Sequence, residues 1–200
     1  ITASPHRTEP RCPYHRQCGG CQIQALDYKY QLLFKGNKVK NNLNRIGGFP
    51  MELLDQCMEP IVGMEEPYHY RNKAQFPVGF GKKGELITGF YAGRTHVIIP
   101  NTDCALGVQE NKEILECILD LMRTYKITPY NEAGGEGIVR HILIRKGFST
   151  GEIMVCVVLN GEKLPHEDKL IEKLSTLKGM TSISVNINQE KTNVIMGSAC

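Results

Sequence analysis

Three cysteines stand close together near the start of the chain, where their spacing could serve a metal centre. Cys12, Cys18 and Cys21 fall within ten residues, and a Gly-Gly pair lies between the second and the third. Thiolate sulfur is a preferred ligand of zinc and of iron-sulfur clusters, and both usually take four protein ligands. A fourth ligand must therefore come from elsewhere in the chain. We nominate Cys104, which, like Cys21, directly precedes a predicted helix.

The spacing of these cysteines leaves the identity of the metal open. The pattern C-x5-C-x2-C with one distant cysteine matches neither the paired C-x2-C motifs of zinc ribbons nor the C-x2-C-x2-C run of bacterial ferredoxins. Chemistry favours a four-iron cluster, and a zinc site or redox-active thiols are the alternatives. His15 could replace one thiolate in a zinc site, although a solvated loop histidine is the simpler interpretation.

A second group of candidate residues carries positive charge and amide groups. Arg71, Asn72 and Lys73 stand at the start of a predicted strand. Arginine and lysine contact phosphate, and arginine also stacks on unpaired bases, as in many interfaces with single-stranded RNA. Arg140 and His141, adjacent on a later strand, would extend this basic surface if both strands turn the same face outward. The simpler interpretation is a strand surface with ordinary solvated charges.

The composition is that of a globular protein. Its 200 residues, 41% of them hydrophobic, suffice for one large core or two small ones. No run approaches the roughly 20 apolar residues that span a bilayer, so we expect no membrane segment and a cytoplasmic location. The formal net charge of +3 is only mildly basic, so nucleic-acid binding has to be argued from local patches.

The pattern of apolar residues predicts an α+β fold, with a largely antiparallel sheet covered by helices. Residues 1–21 show no regular period and are predicted to form an arm folded by its metal, whereas residues 22–200 are predicted to form one domain. Helices are predicted at 22–46, 108–122 and 165–177. Strands are predicted at 60–64, 71–78, 86–91, 96–99, 138–145, 153–159 and 181–188.

Two details of the predicted strands bear on function. A literal G-x-G-x-x-G occupies residues 79–84, but strand-like sequence follows it, so we expect a hairpin turn and not a dinucleotide site. In the last strand Ile183, Val185 and Ile187 alternate with polar residues. We therefore expect one face of that strand to be exposed to water.

Together, these motifs resemble bacterial RNA uracil-C5 methyltransferases of the RumA/TrmA type. The resemblance spans nearly the whole chain, and its specificity lies in the order and spacing of motifs that are individually modest. The segments that carry it are 12–21, 70–73, 89–96, 104, 139–142 and 192–195.

The resemblance implies that the four cysteines nominated above hold a [4Fe-4S] cluster, as in the branch of the family that modifies 23S ribosomal RNA. It also implies that Arg71 and its neighbours bind RNA near a flipped-out target uridine, with 23S ribosomal RNA favoured over tRNA. Such enzymes use a cysteine nucleophile, a carboxylate base and S-adenosylmethionine. We match no residue of this chain to those roles, so we expect a central domain that is inactive without the catalytic domain.

Two other functions are compatible with the same residues. One is a non-enzymatic, zinc-dependent RNA-binding module, and the other is an iron-sulfur electron carrier. Because the chain starts at Ile1 and stops at Cys200 without an apparent boundary, we expect a fragment of a longer protein.

Overall fold

The computed structural model describes residues 2–200, which contain four α-helices and one six-stranded sheet. This confirms the predicted α+β class. The helices are α1 (Tyr28–Arg45), α2 (Met51–Cys57), α3 (Glu110–Thr124) and α4 (Glu167–Leu174). The strands are β1 (Lys73–Phe80), β2 (Leu86–Tyr91), β3 (Ile98–Pro100), β4 (Val139–Lys146), β5 (Ile153–Leu159) and β6 (Met180–Ile187). Among these residues, no helix is both long and apolar enough to cross a membrane.

The chain divides into two compact units. The smaller unit comprises the residues up to His15 together with Cys21–Pro67, and the sheet unit comprises Arg16–Gly20 together with Tyr68–Cys200. The boundary predicted at residue 21 therefore differs from this division, because the first cysteine segment contributes to both units.

The smaller unit is built around α1. Asp27 caps this helix with its carboxylate, which accepts a backbone N–H at 3.1 Å. Upstream, the N–H of Thr8 donates to the carbonyl of Ala25 at 2.9 Å, and the His6 ring stacks on Tyr30 with the ring centroids 3.3 Å apart. The helix starts at residue 28 and not at the predicted residue 22 because the intervening residues pair with the N-terminal segment.

The second helix of this unit, α2, is not among the helices predicted from the sequence. Lys40 on α1 forms an ion pair with Asp55 on α2. The strand predicted at residues 60–64 is not present, because these residues form neither a strand nor a helix. Gly63 instead lies so close to α1 that a Cβ there would be 2.7 Å from Leu32 Cδ1. This segment packs on a helix instead of pairing with a strand.

The sheet unit has the strand order β3-β2-β1-β4-β5-β6. Every neighbouring pair is antiparallel except β5 and β6, which are parallel. A parallel pair needs a crossover connection, and α4 supplies it. The largely antiparallel sheet predicted from the sequence is confirmed.

Helices α3 and α4 cover one face of the sheet. On β1, Ala74, Phe76 and Val78 point toward this side and are at most 6% exposed. They share a core with Ile114 and Ile118 of α3. Since side chains alternate along a strand, the residues between them on β1 point to the opposite face, away from α3 and the shared core.

The C-terminal segment, residues 189–200, covers part of that opposite face. The Asn186 side chain donates to the carbonyls of Gly197 and Ala199, at 3.1 and 2.6 Å, and accepts from the N–H of Gly197 at 2.7 Å. Asn188 donates to two carbonyls earlier in the segment, at 2.7 and 3.0 Å. The two asparagines are 0% and 2% exposed. The prediction that this face of β6 is exposed to water is therefore wrong at Asn186 and Asn188, whereas Ser182 on the same face is exposed.

The G-x-G-x-x-G motif forms the turn between β1 and β2. The N–H of Gly81 donates to the carbonyl of Glu85 at 2.7 Å, and Gly84 has a φ of +79°, which favours glycine. A strand follows, so the motif presents no helix N-terminus to a pyrophosphate. The predicted hairpin is confirmed.

We expect Asn186→Ala to destabilise the protein by about 2 kcal/mol, because it leaves buried backbone groups of the C-terminal segment without partners. Urea unfolding would measure this loss, and limited proteolysis should show faster cleavage within 189–200. Ser182→Ala is the matched control, since Ser182 lies on the same face of β6 but is exposed. Equal stability of the two variants would contradict the anchoring role of Asn186.

Candidate nucleic-acid interface and cysteine positions

A cleft of about 530 Å³ opens on the sheet face opposite α3. We call it the β1 cleft, because the start of β1 forms its floor. Its charged and amide lining comes from Arg71, Asn72, Lys73 and Gln75. Three of the four residues predicted to bind RNA therefore line one cleft.

The backbone at the start of β1 is fixed on both sides. The N–H of Arg71 donates to the carbonyl of Leu106 at 2.9 Å, and the N–H of Lys146 donates to the carbonyl of Asn72 at 2.9 Å. Lys73 then begins the ladder with β4. These bonds use main-chain groups only, so the cationic side chains stay available to a ligand.

The far wall of the β1 cleft is aromatic. Tyr91 packs against His96 at 5.1 Å between ring centroids and meets His141 edge-on at 6.4 Å. His96 Nδ1 lies 2.5 Å from a carboxylate oxygen of Glu132. Burial, followed by the Glu132 carboxylate, raises the pKa of Tyr91 to about 12, against an opposing effect of Arg140. Tyr91 is therefore a neutral phenol near neutral pH.

His141 is a buried polar group on the wall of the cleft. It lies on β4 opposite Pro77 and is 7% exposed. Its Nδ1 has no hydrogen-bond partner in the part of the chain that the structure describes. Burial, followed by the nearby Arg140 cation, lowers the pKa of His141 to about 4. The ring is therefore neutral near neutral pH, with one donor and one acceptor nitrogen.

Arg140, the fourth residue predicted to bind RNA, is only 5% exposed. Its guanidinium donates to the carbonyls of Asn188 and Glu190, at 2.7 and 2.8 Å, and lies 4.5 Å from the centroid of the Tyr130 ring. Arg140 falls at an irregularity in the β4–β5 ladder, next to His141. In this structure it anchors the start of the C-terminal segment and presents no cation to the surface.

Two of the predicted cluster ligands, Cys18 and Cys104, belong to the sheet unit. Cys18 forms an isolated bridge with Ala92, and its sulfur accepts the N–H of Gly20 at 3.4 Å. The N–H of Gly19 donates to the end of β2 at 3.0 Å, and a Cβ at this position would meet backbone atoms at 3.2 Å. The Gly-Gly pair therefore allows this cysteine loop to lie directly against the strand.

The other two predicted ligands, Cys12 and Cys21, belong to the smaller unit and share one neighbour. The Gln24 side chain accepts the N–H of Cys12 at 3.0 Å and donates to the sulfur of Cys21 at 3.8 Å. Within residues 2–200, no group of three or more His, Cys, Asp or Glu side chains is arranged to hold a metal ion. The four-cysteine ligand set thus stays a prediction.

A larger hollow, of about 700 Å³, lies beside α3 and α4. Its lining is mainly charged and includes the ion pair between Lys173 and Asp120, at 2.9 Å. Burial raises the pKa of the Cys117 thiol in this hollow, which disfavours the reactive thiolate. The hollow therefore combines solvated ion pairs with an unreactive thiol, and we assign it no site.

Tyr91 and Gln75 were not predicted as site residues, and His141 was predicted only as part of a possible basic surface, whereas it is a buried and neutral ring. The alternation along β1 could have found Gln75, because it shares a face with Lys73. The positions of Tyr91 and His141 depend on the pairing of β1 with β2 and β4, which the sequence did not specify.

The chain is similar to curated proteins of longer length. It is 42% identical over 198 residues to an uncharacterized RNA methyltransferase of Clostridium tetani, and 45% identical over 198 residues to one of Clostridium acetobutylicum. Each alignment covers 98% of this chain but 42% of the relative. The chain thus spans less than half the length of these relatives. No family model matches it.

A solved structure is also similar over the whole chain. It is the crystal structure of the Pyrococcus abyssi tRNA (uracil-54, C5)-methyltransferase in complex with S-adenosyl-L-homocysteine. The TM-score is 0.69 at 26% identity, and the match covers 100% of this chain and 42% of the solved one. The chain resembles one segment of RNA methyltransferases. This agrees with the family that the sequence motifs indicate.

We expect His141 to make folding stability depend on pH. Below about pH 6.5 the unfolded chain protonates this histidine, whereas the folded chain does so only near pH 4. Stability should therefore fall as the pH decreases through this window, by about 2 kcal/mol at pH 5.

The measurement is urea unfolding of the wild type and of His141→Gln between neutral pH and about pH 5. The variant should show a weaker pH dependence, because glutamine does not titrate. The same pH dependence in both proteins would show that His141 is not the group responsible.

Proposed function

We propose that this chain is the RNA-binding, iron-sulfur segment of a cytoplasmic RNA uracil-C5 methyltransferase that uses S-adenosylmethionine. The observation that carries the proposal is the structural similarity over the whole chain to a tRNA (uracil-54, C5)-methyltransferase bound to S-adenosyl-L-homocysteine. The relatives named as RNA methyltransferases support it. We place the catalytic residues and the cofactor site in the parts of those longer proteins that this chain does not span, so the chain alone is inactive.

The proposed RNA contacts are Arg71, Asn72 and Lys73. Their side chains line the β1 cleft, and their backbone groups are already used in the sheet and the neighbouring loop. Two cations on a fixed strand can hold successive phosphates in register, while an amide can reach a sugar or a base. Arg140 would contribute indirectly, because it anchors the C-terminal segment that borders the cleft.

Among RNA substrates we propose 23S ribosomal RNA before tRNA. The reason is the cysteine pattern, which resembles the cluster-bearing branch of the family. The solved relative acts on tRNA, so both RNAs belong in the test.

The residues that would hold a [4Fe-4S] cluster are Cys12, Cys18, Cys21 and Cys104. Thiol donors fit this group, and two of their sulfurs already accept N–H hydrogen bonds, from Gly20 and from the Gln24 amide. Such bonds stabilise metal-bound thiolates. When bound, the cluster would cross-link the backbone segments that carry its ligands and would take no part in redox chemistry.

We expect Arg71→Ala and Lys73→Ala to weaken RNA binding and to reduce its salt dependence. Each lost phosphate contact should change the slope of log K against log salt by about 0.7 for a single strand. Fluorescence anisotropy with single-stranded fragments of 23S ribosomal RNA and of tRNA, at several salt concentrations, would measure it.

The matched controls are Lys82→Ala and Lys83→Ala, which remove exposed cations from the β1–β2 turn outside the cleft. Their slopes should equal that of the wild type. If Arg71→Ala and Lys73→Ala also left the slope unchanged, these residues would not contact phosphate.

We expect the protein purified without oxygen to contain iron and acid-labile sulfide in equal amounts. Cys18→Ser should lose most of both, whereas Cys57→Ser should retain them, because Cys57 is exposed and outside the proposed ligand set. Metal analysis and the visible absorbance spectrum would measure this. One zinc ion per chain without sulfide would contradict the cluster and favour a zinc-dependent module.

A further inference from the structure

The β1 cleft combines an apolar wall with groups that can recognise a base edge. Pro77, Tyr91 and Ile195 supply apolar surface, and Ile195 comes from the C-terminal segment. Asn72 and Gln75 supply side-chain amides on the floor. The apolar surface and the amides therefore face the same volume.

The polar groups deep in this cleft are uncharged near neutral pH. Tyr91 is held as a phenol and His141 as a neutral imidazole, so each can pair with an uncharged ligand. The cations Arg71 and Lys73 come from the start of β1, and Lys73 is exposed. The cleft thus combines buried or half-buried polar groups that are uncharged with two cations.

We propose that the β1 cleft is a subsite for one unpaired nucleobase of the bound RNA. The base packs against Tyr91, Pro77 and Ile195. The amides of Asn72 and Gln75 contact its edge, and Arg71 and Lys73 hold the phosphates on either side. This inference rests on the proposed function and adds a base-recognition site to it.

Three features favour a nucleobase over other ligands. First, the volume of about 530 Å³ lies within the range of sites for small ligands of nucleotide size. Second, a base has a flat apolar face and an edge with both donors and acceptors, which matches an aromatic wall beside amides. Third, the unpartnered Nδ1 of His141 belongs to a ring that lines the cleft, so a small rotation of the ring would let a base edge satisfy it.

A sheet face is a familiar surface for binding single-stranded RNA, because alternate side chains of adjacent strands present a flat platform to unstacked bases. Here the C-terminal segment closes one side of that platform. It covers the β6 side, where Asn186 and Asn188 hold it, whereas the cleft is lined mainly by residues of β1 and β2 together with His141 of β4. A cleft of about 530 Å³ has the size expected for one nucleotide, so we infer a site for one base.

The test is an abasic scan of a short single-stranded RNA that binds the protein. Each nucleotide in turn is replaced by an abasic one, which keeps the phosphates and removes the base. Binding to the wild type is measured by fluorescence anisotropy. We expect one position to lose affinity by roughly 5- to 30-fold, as for a stacked base, while the others change little.

The same scan with Tyr91→Ala identifies where that base binds. In this variant, removing the base at the sensitive position should lower the affinity by only about twofold or less, because the aromatic ring that the base contacts is gone. Gln75→Ala, a milder change of a half-buried side chain, should reduce the penalty at the same position. It keeps the test decisive if Tyr91→Ala does not fold.

Phe80→Ala is the matched control. Phe80 is an aromatic residue on the same strand, 59% exposed and outside the cleft. It should give the wild-type abasic profile. The subsite would be overturned if the wild type lost the same affinity at every abasic position. It would also be overturned if both Tyr91→Ala and Gln75→Ala still lost the wild-type amount of affinity at the sensitive position.

The failure of this inference can be distinguished from that of the proposed function. If the wild type bound none of the RNA fragments, the RNA-binding function itself would fail. If it bound RNA with the salt dependence expected for Arg71 and Lys73 but tolerated every abasic position, only the base subsite would fail.

Discussion

The register between β1 and β4 determines which side chains meet in the β1 cleft. Gln75 pairs with Leu143, and Pro77 pairs with His141. Because side chains alternate along a strand, a slip of one residue would turn the lysine and the amide of β1 toward α3 and the core residues toward water. The buried side chains of β1 make such a slip costly, since Phe76 is 0% exposed. Core packing on one face therefore fixes the chemistry of the other face.

The polar anchors of the C-terminal segment define the other border of the cleft. Asn186, Asn188 and Arg140 are buried, and most of their polar atoms pair with backbone groups of that segment or the turn before it. Such groups would be costly to bury alone, and so would the carbonyls they bind. Pairing them holds a segment without helix or strand in one place. Because Ile195 of this segment lines the cleft, the anchors also set the shape of the cleft.

Periodicity predicted most of the sheet unit, because its strands and α3 each pack one side against a shared core. It predicted less of the smaller unit, because none of the α1 residues, Tyr28–Arg45, is fully buried. Short segments such as α2 carry too few residues to show a period. The sequence predicted the cations at the start of β1, but Tyr91 and His141 join them only through strand pairing. The burial of Arg140 follows from an irregularity in the ladder that no residue pattern marks.

The small net charge of +3 is compatible with RNA binding if a few cations contact phosphate and uncharged groups contact a base. The two cations of the cleft, Arg71 and Lys73, would give a modest attraction to phosphate that salt weakens. Apolar and amide contacts inside the cleft depend little on salt, because the groups there are neutral. If the proposed subsite is correct, the cleft would discriminate between RNAs by whether an unpaired base can enter it. A continuous RNA duplex presents no such base, so the proposed subsite would bind single-stranded or looped RNA in preference to a duplex.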